Sequence, residues 1–464
     1  MKLCVIGGAG ARSAFLTKSL VKNARDIRVD HIVLLDNDPR KLRTYGEIAR
    51  QLAARMDPEL RFEVTSDARE ALTGADYIIT TIRAGGDEGR LFDEKTCLAH
   101  GVLGQETTGA GGFAMALRSV PTLLYYCELA GKAANPGHLI FNFTNPSGII
   151  TQALRLKGFD NVYGICDAPS GFIRQLEEIL GVPAGELEIE CYGLNHLSWF
   201  RNARVRGRDV QRELLNHSRT YTHSEMRLFT PEMARLSGEE MLNEYLYFYY
   251  RRTKSLSMIE QAEHPRGEMI YLINRELEEQ LDRLELPREF EKAFALYMEA
   301  YGRRENAYFS VESGARREKV WEPPQIDEFL ASPDEGGYAA VALRFIRAIT
   351  GGEPCRMVMS VPNNGAIAGL EDDDVVEISC DIRADGAHPV EIGLIDEFQL
   401  QQIKRLKYFE RCTIQAILEN NRDIAVKGLF LHPLVNDFEL AEKLTSIFFD
   451  KYSDFIHMHG SISE

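Results

Sequence analysis

Short apolar runs alternate with helix-length segments through the first half of the chain. The runs are Leu3–Ile6, His31–Leu35, Ala75–Thr81, His138–Phe143 and Asn161–Cys166. This alternation predicts βαβ units, whose strands lie parallel in one sheet. Because crossovers between parallel strands are right-handed, helices are expected on both faces of a doubly wound sheet. The chain is therefore predicted to be an α/β protein with a Rossmann-like N-terminal sheet.

The pattern changes after about residue 190. Helix-length segments dominate there, at Thr230–Arg251, Arg266–Leu284, 394–424 and 436–452. Glu188–Phe200 reads as a strand leading into a loop, and Val375–Ile382 as a further strand. A chain of 464 residues is also longer than one hydrophobic core usually supports. We therefore predict two domains: a dinucleotide-binding domain over 1–190 and an α+β domain over 191–464 that completes the substrate site.

Composition excludes several classes of protein. The 54 Lys and Arg residues are outnumbered by 70 Asp and Glu, which gives a formal charge of −16 and argues against nucleic-acid binding. No segment approaches the roughly 18 to 20 apolar residues that span a bilayer. The first apolar run ends in glycines, too early for a signal peptide. Eight dispersed cysteines without a CxxC pair indicate reduced thiols, so a cytoplasmic location is predicted.

The N-terminal turn has the pattern of a nucleotide site. Gly8-x-Gly10 directly follows the first apolar run, where backbone N–H groups and a helix start can bind a pyrophosphate. Asp36 ends the second run, close to the roughly 20-residue spacing of a ribose-binding acid, and favours NAD over NADP. Ser13 replaces the third glycine, and a tight turn followed by a helix cap is the alternative. The predicted dinucleotide contacts are Gly8, Gly10, Ala11, Asp36 and Arg83.

Several polar segments follow predicted strands, at the edge where a parallel sheet carries its site. They are Arg83–Glu94, Gly104–Gly109, Asn142–Pro146, Cys166–Pro169 and Gly193–His196. A thiolate and an imidazole, such as those of Cys166 and His196, can bind a borderline divalent ion if substrate oxygens complete the shell. Taken separately, a cysteine such as Cys166 is more often a small buried apolar residue, and a histidine such as His196 is more often a satisfied loop histidine.

Two further segments are rich in functional groups. Tyr245 opens an aromatic cluster, whose remaining tyrosines (Tyr247, Tyr249 and Tyr250) fit an aromatic core. Arg266 opens a predicted helix, where its guanidinium is suited to a substrate anion. An ion pair with a nearby carboxylate is the alternative for that arginine.

Seven long strings extend over nearly the whole chain: RAGGDEGRLFDE, GQETTGAGGF, NFTNPSG, GICDAP, GLNH, VPNNGAIAGL and HPLV. Together they resemble glycoside hydrolase family 4, the NAD- and divalent-metal-dependent glycosidases that include 6-phospho-α- and 6-phospho-β-glucosidases. This family is an exception to the rule that glycosidases use two carboxylates. The resemblance implies NAD and a divalent ion, Mn²⁺ first, as cofactors, and a small glycoside as substrate.

The mechanism that the resemblance implies is an oxidation, elimination, addition and reduction without net redox change. A hydride leaves carbon 3 of the sugar, a tyrosine removes the proton on carbon 2, and the glycosidic oxygen departs. The implied roles are Cys166 and His196 as metal ligands, Tyr245 as base, Asp167 as acid, Arg90 and Asn145 as sugar contacts, and Arg266 as the 6-phosphate contact. The CDxP string resembles that of the 6-phospho-α-glucosidases, so an α-linked substrate is expected before a β-linked one.

Departures from the family pattern leave the substrate open. Arg12 and Ala14 are unusual in the N-terminal turn, and Ala168 is unusual after Asp167. Arg12 has two possible interpretations, a second anion contact or a side chain that points to solvent. The alternatives are the same mechanism on unphosphorylated hexosides or uronides, an NAD-dependent 2-hydroxyacid dehydrogenase, and a non-catalytic binding module. A dehydrogenase has no use for the Cys166 and His196 pair. The resemblance also implies a homodimer or homotetramer.

Overall fold

The computed structural model describes residues 1–314, 320–334 and 337–458. Its strands are β1 (Lys2–Ile6), β2 (His31–Leu35), β3 (Arg61–Thr65), β4 (Tyr77–Thr80), β5 (Leu139–Asn142), β6 (Val162–Gly164), β7 (Leu187–Leu194), β8 (Leu197–Val205), β9 (Arg208–Asp209), β10 (Met241–Leu242), β11 (Cys355–Pro362), β12 (Val375–Arg383) and β13 (Gly386–Pro389). Each of the five predicted N-terminal runs contains a strand.

Helices occupy most of the remaining chain. They are α1 (Ser13–Asn23), α2 (Pro39–Lys41), α3 (Glu47–Met56), α4 (Ala68–Leu72), α5 (Gly86–Ala99), α6 (Gly109–Ala133), α7 (Ser147–Leu156), α8 (Ala168–Leu180), α9 (Gln211–Asn216), α10 (Thr220–His223), α11 (Pro231–Leu236), α12 (Leu246–Tyr250), α13 (Arg252–Gln261), α14 (Arg266–Leu281), α15 (Phe290–Asn306), α16 (Ser310–Ser313), α17 (Ile326–Ala331), α18 (Tyr338–Ile349), α19 (Glu397–Glu419), α20 (Arg422–Leu431), α21 (Phe438–Lys451) and α22 (Ser453–Met458). Within the described ranges, no helix is long and apolar enough to cross a membrane.

The first six strands form the predicted parallel sheet. Their order is β3-β2-β1-β4-β5-β6, and every neighbouring pair is parallel. Strands β1, β2 and β4 are buried almost along their whole length, as expected for a sheet covered on both faces. The strand order reverses between β1 and β4, and ligands of such sheets bind beside the carboxyl ends of the strands at that point. The predicted α/β class and Rossmann-like sheet are confirmed.

The same sheet continues with strands from the second half of the chain. β11 pairs antiparallel with β6 through Ser360 and Gly164, and β12 and β13 follow outward. The close approach requires the glycine, because a Cβ on Gly164 would lie 2.6 Å from the Cβ of Ser360. The predicted strand at Val375–Ile382 therefore exists as β12, but it belongs to the first sheet. The predicted domain boundary near residue 190 stays a prediction, with one sheet spanning both parts.

Two local predictions were wrong. The segment expected to be a strand and a loop is an antiparallel hairpin of β7 and β8, in which Leu194 pairs with Leu197. The segment predicted as one helix over Thr230–Arg251 is divided into α11, β10 and α12. Gly238 (φ 82°) and Glu239 (φ 57°) adopt left-handed conformations there, which end α11 and turn the chain into β10.

The C-terminal helices fix one loop of the sheet. Arg118 on α6 is fully buried, and its guanidinium donates to the carbonyl of Ala84 at 2.6 Å. Asp93 on α5 pairs with Arg118 and accepts the hydroxyl proton of Tyr452. The guanidinium also lies 4.6 Å from the centre of the Tyr452 ring. The junction between α21 and α22, where Tyr452 lies, thus holds the turn after β4 in place.

Candidate active site

A cavity of about 740 Å³ opens beside the carboxyl ends of β1, β4, β5 and β6. Its lining contains every predicted site residue, drawn from both halves of the chain. These residues are Gly8, Gly10, Ala11, Asp36, Arg83, Arg90, Asn145, Cys166, Asp167, His196, Tyr245 and Arg266. One cavity therefore holds the nucleotide turn, the cysteine and histidine pair and the charged groups together.

Different residues of the glycine turn serve packing and ligand binding. The N–H of Gly8 donates to the carbonyl of Leu35, and a Cβ on Gly8 would lie 2.9 Å from the Cβ of Leu34. Gly8 therefore packs the turn against β2. Among the described residues, the N–H groups of Gly10 and Ala11 have no hydrogen-bond acceptor, and α1 begins without a capping side chain. Free N–H groups at a helix start are suited to a pyrophosphate.

Asp36 is not the cap of the following helix. Asp38 caps α2, accepting hydrogen bonds from the backbone N–H of Arg40 at 2.8 Å and Lys41 at 3.2 Å. Asp36 instead accepts from the N–H of Asp38 at 3.1 Å. Burial raises the pKa of Asp36. Its carboxyl lines the cavity at the end of β2, where a ribose-binding acid lies in sheets of this kind.

Arg83 and Arg90 share a carboxylate. Arg83 pairs with Asp87 at 2.6 Å and with Glu106 at 3.2 Å, and Arg90 pairs with the other oxygen of Glu106 at 2.8 Å. Burial opposes ionisation of Glu106, but the two arginines outweigh it and lower the pKa of its carboxyl to about 2. Both guanidinium groups are thus held at fixed positions in the cavity wall.

Cys166 and His196 meet in the cavity from two different elements. Cys166 follows β6, and His196 is at the tip of the β7–β8 hairpin with φ 65°, which directs it back to the sheet. The sulfur of Cys166 lies 3.8 Å from Nε2 of His196. Burial lowers the pKa of His196 to about 3, so its imidazole is neutral, the form that binds metals.

This pair fits an open metal site. Within the described residues, no group of three or more His, Cys, Asp and Glu side chains is arranged to hold an ion. A divalent ion at Cys166 and His196 would therefore need ligands from substrate or water, as catalytic sites do.

Glu377 on β12 holds the hairpin tip, and sequence reasoning missed it. Its carboxylate accepts from Nδ2 of Asn195 at 2.8 Å and from Oγ of Ser198 at 3.0 Å. Burial raises its pKa to about 7. Nothing marked this glutamate except that it interrupts an apolar strand. Its two donors, Asn195 and Ser198, lie on either side of His196 along the chain, so Glu377 holds the segment that carries the imidazole.

Asp167 and Arg12 connect the two ends of the cavity. Nη1 of Arg12 lies 3.5 Å from Oδ2 of Asp167, and both side chains are more than a third exposed. Arg12 thus contacts Asp167 and is also partly exposed, so an anion contact and a solvent-facing side chain both stay predictions. The contact also places the nucleotide turn beside the carboxyl predicted to act as acid.

Tyr245 lies directly against the histidine. Its ring stacks on that of His196 with centroids 3.7 Å apart and an interplanar angle of 12°. Asn243 fixes the backbone, since its Oδ1 accepts from the N–H of Tyr245 at 2.9 Å. The hydroxyl of Tyr245 lies 3.4 Å from that of Tyr308. Burial raises the pKa of Tyr245.

Arg266 is largely buried at the start of α14, in the wall of the same cavity. Nη1 of Arg266 donates to the carbonyl of Arg304 at 3.0 Å, and the guanidinium lies 5.4 Å from the centre of the Tyr308 ring. No ion pair with Arg266 occurs in the described part of the chain. Burial lowers its pKa, while Glu312 acts in the opposite direction. An unpaired buried guanidinium favours the anion contact over the alternative of an internal ion pair.

Arg304, on α15, is a further cavity residue that the sequence did not indicate. Its Nη1 donates to Oδ1 of Asn274 at 3.3 Å, and burial lowers its pKa. The sequence offered no signal for it, because a single arginine within a charged helix is usually solvated.

Comparison with known proteins agrees with the resemblance seen in the sequence. Residues 2–182 match the family model of family 4 glycosyl hydrolases, and residues 191–435 match the C-terminal domain of that family. A 6-phospho-beta-glucosidase of Thermotoga maritima is 31% identical over 447 residues, which is 96% of each chain. A phospho-alpha-glucosidase of Clostridium acetobutylicum is 27% identical over 464 residues, 95% of each chain.

A solved structure supports the same relationship. It is that of the 6-phospho-beta glucosidase from Thermotoga maritima with manganese, NAD⁺ and glucose-6-phosphate. The TM-score is 0.79 at 29% identity, with 98% of this chain and 99% of that chain covered. Matches over both halves, together with 31% identity over nearly the full length, confirm the resemblance. The chain belongs to glycosyl hydrolase family 4.

Proposed function

We propose that this chain hydrolyses 6-phospho-glucosides with NAD and a divalent metal bound in the cavity. The observation that carries the proposal is the stacking of the Tyr245 ring on that of His196. Nε2 of His196 lies 3.8 Å from the sulfur of Cys166, and all three residues line the cavity that contains the glycine turn. A tyrosine that can act as a base, next to two predicted metal ligands and a dinucleotide site, suits elimination from an oxidised sugar. The relatives named above act on phosphorylated glucosides, and the solved relative holds manganese, NAD⁺ and glucose-6-phosphate.

The residues present fit both cofactors. The free N–H groups of Gly10 and Ala11 suit a pyrophosphate, and Asp36 suits a ribose. Cys166 and neutral His196 suit a divalent ion, with Mn²⁺ as the first candidate. The chemistry that NAD supplies when bound is reversible hydride transfer at carbon 3, and that of the ion is stabilisation of negative charge on the sugar oxygens.

The side chains of the cavity would carry the proton transfers and hold the sugar. Tyr245 and Asp167 both line the cavity, where Tyr245 would accept the proton of carbon 2 and Asp167 would donate a proton to the departing glycosidic oxygen. Arg90 and Asn145 line the wall where sugar hydroxyls would lie, with Arg90 held by Glu106. Arg266 would bind the 6-phosphate, because its buried charge lacks a carboxylate partner among the described residues.

Three finer points remain predictions. An α-linked substrate is expected from Asp167 after the cysteine, although the relatives include enzymes named for each anomer. A homodimer or homotetramer is expected from the family resemblance. A cytoplasmic location is supported by eight unpaired cysteines.

Release of nitrophenol from 4-nitrophenyl α- and β-glucosides, each with and without a 6-phosphate, tests the proposal. The assay contains NAD⁺, Mn²⁺ and a thiol reductant, and a parallel series contains EDTA. We expect turnover of one phosphorylated anomer, lost with EDTA, and no net NADH. Turnover of only unphosphorylated hexosides or uronides would replace the substrate, and net NADH formation would indicate a dehydrogenase instead.

A further inference from the structure

The hydroxyl of Tyr245 begins a directed chain of hydrogen bonds. The hydroxyl of Tyr308 donates to Oε1 of Glu244. The oxygens of Tyr245 and Tyr308 are 3.4 Å apart. A phenol has one proton to donate. Because Tyr308 gives its proton to Glu244, its oxygen accepts from Tyr245, and the chain runs from Tyr245 through Tyr308 to Glu244.

The direction of this chain determines what Tyr245 presents to a substrate. With its proton directed at Tyr308, the Tyr245 oxygen leaves its lone pairs for the cavity that the residue lines. A general base must present a lone pair to the hydrogen it takes, within hydrogen-bond reach. We propose that Tyr308, oriented by Glu244, is a positioning residue that turns a lone pair of the Tyr245 oxygen toward carbon 2 of the sugar, an inference that rests on the proposed function. As Tyr245 takes the carbon-2 proton, its own hydroxyl proton passes to Tyr308 and the Tyr308 proton passes to the Glu244 carboxylate, so each phenol keeps one proton.

The backbone around Tyr308 supports a built arrangement. Phe309, the next residue, has φ 59°, which is uncommon for a bulky side chain and occurs mostly where surroundings enforce it. Its ring packs edge-on against Tyr245 (centroids 5.8 Å apart) and against Tyr308 (5.0 Å). The two phenols are therefore held against one shared side chain, which fixes the distance between their hydroxyls.

Glu244 also lies in a position suited to orienting a hydroxyl. Its side chain is 3% exposed, and it directly precedes Tyr245 in the chain. A buried carboxylate needs donors, and the Tyr308 hydroxyl is one of them. An ionised carboxylate has no proton to donate, so it acts only as an acceptor and fixes the direction of the Tyr308 proton.

The contact between Arg266 and Tyr308 predicts how the effect divides between binding and turnover. The guanidinium of Arg266 lies over the ring of Tyr308, 5.4 Å from its centre, and does not use the hydroxyl. A Tyr308→Phe substitution therefore keeps the ring beneath the predicted phosphate contact and removes the hydroxyl that links Tyr245 to Glu244. Substrate binding should be preserved while proton abstraction slows.

Tyr247→Phe is the matched control. Tyr247 also packs edge-on against Phe309, at 6.3 Å, but its hydroxyl donates to the backbone carbonyl of Glu312 at 3.3 Å. Both substitutions remove one hydroxyl from the same aromatic cluster. Only Tyr308→Phe removes the partner of the Tyr245 hydroxyl.

The experiment measures kcat, KM and exchange of the carbon-2 hydrogen for solvent deuterium, with the 6-phospho-glucoside that the wild-type enzyme cleaves. For Tyr308→Phe we expect kcat and exchange to fall together by about 10- to 100-fold, with KM within about twofold. For Tyr247→Phe we expect values within about twofold of wild type. Mn²⁺ and NAD⁺ binding, followed by calorimetry, should be unchanged in both variants.

The outcomes separate this inference from the proposed function. A wild-type protein without NAD- and metal-dependent turnover of any 6-phospho-glucoside refutes the proposed function, and the inference with it. If the wild type is active, an unchanged kcat in Tyr308→Phe, or a raised KM with unchanged kcat, overturns the positioning role. Equal losses in Tyr308→Phe and Tyr247→Phe would indicate general damage to the cluster and overturn it as well.

Discussion

Arg266→Met is the substitution that tests the substrate most directly. Nη1 of Arg266 is committed to the carbonyl of Arg304, and its other donors have no acceptor among the described residues. Two of them placed on a phosphate would form charge-assisted hydrogen bonds worth about 1.5–3 kcal/mol each before non-additivity. A net loss of about 3 kcal/mol corresponds to a roughly 100-fold fall in kcat/KM. Methionine retains much of the apolar stem.

The assay compares kcat/KM for a phosphorylated and an unphosphorylated glucoside in the same variant. We expect the roughly 100-fold loss only with the phosphorylated compound. Arg303→Met is the control, because Arg303 is half-exposed on the same helix as Arg304 and pairs with Glu276 outside the cavity. Equal losses on both substrates, or no loss on the phosphorylated one, would refute the assignment of Arg266 to the phosphate.

Three other substitutions follow from the structure. Cys166→Ser should weaken Mn²⁺ binding at least tenfold in calorimetry while NAD⁺ affinity is kept, and wild-type Mn²⁺ affinity would contradict the metal pair. Asp36→Ser should weaken NADH binding about tenfold and improve NADPH binding, both measured by fluorescence titration; an unchanged preference would remove the ribose role. Glu377→Gln should alter the pH dependence of stability. Burial raises the pKa of Glu377 to about 7 in the folded protein, above its value of about 4.5 in the unfolded chain. The contribution of this side chain to stability is therefore fully present below pH 4.5 and is lost as the pH rises through 7. The free energy of unfolding of wild type relative to Glu377→Gln should fall by up to about 3 kcal/mol between pH 5 and 8, and a flat difference would show that Glu377 does not titrate there.

Local patterns predicted the parts of the molecule that depend on neighbouring residues. The runs at His31–Leu35 and Leu3–Ile6 became β2 and β1 because a buried parallel strand needs only a short apolar run. The glycine turn and Asp36 followed from the strands that precede them. The family strings then placed Cys166, His196 and Tyr245 in one site, which spacing alone left open.

Other features depend on contacts between distant residues. Gly164 pairs with Ser360 across nearly two hundred residues, and no local pattern shows which strand will add to β6. Glu377 acquires its role only because that pairing brings β12 to the hairpin tip. Tyr308 follows a charged helix and gains significance only through Glu244 and Tyr245. The helix predicted over Thr230–Arg251 is interrupted by left-handed backbone at Gly238 and Glu239, which the helical pattern did not show.

The pairing of β6 with β11 also affects how the chain is made. β6 ends at Gly164, and β11 begins at Cys355, so synthesis of β11 starts only after about 190 further residues are added. At a translation rate of roughly 5–20 residues per second, the edge of β6 stays unpaired for about 10–40 seconds before β11 is made. Glu377 arrives later still, so the hairpin tip with His196 is secured only near the end of synthesis. Newly made chains should therefore bring Cys166 and His196 into the arrangement suited to metal binding only late. A nascent chain released early should expose the unpaired edge of β6 to other chains.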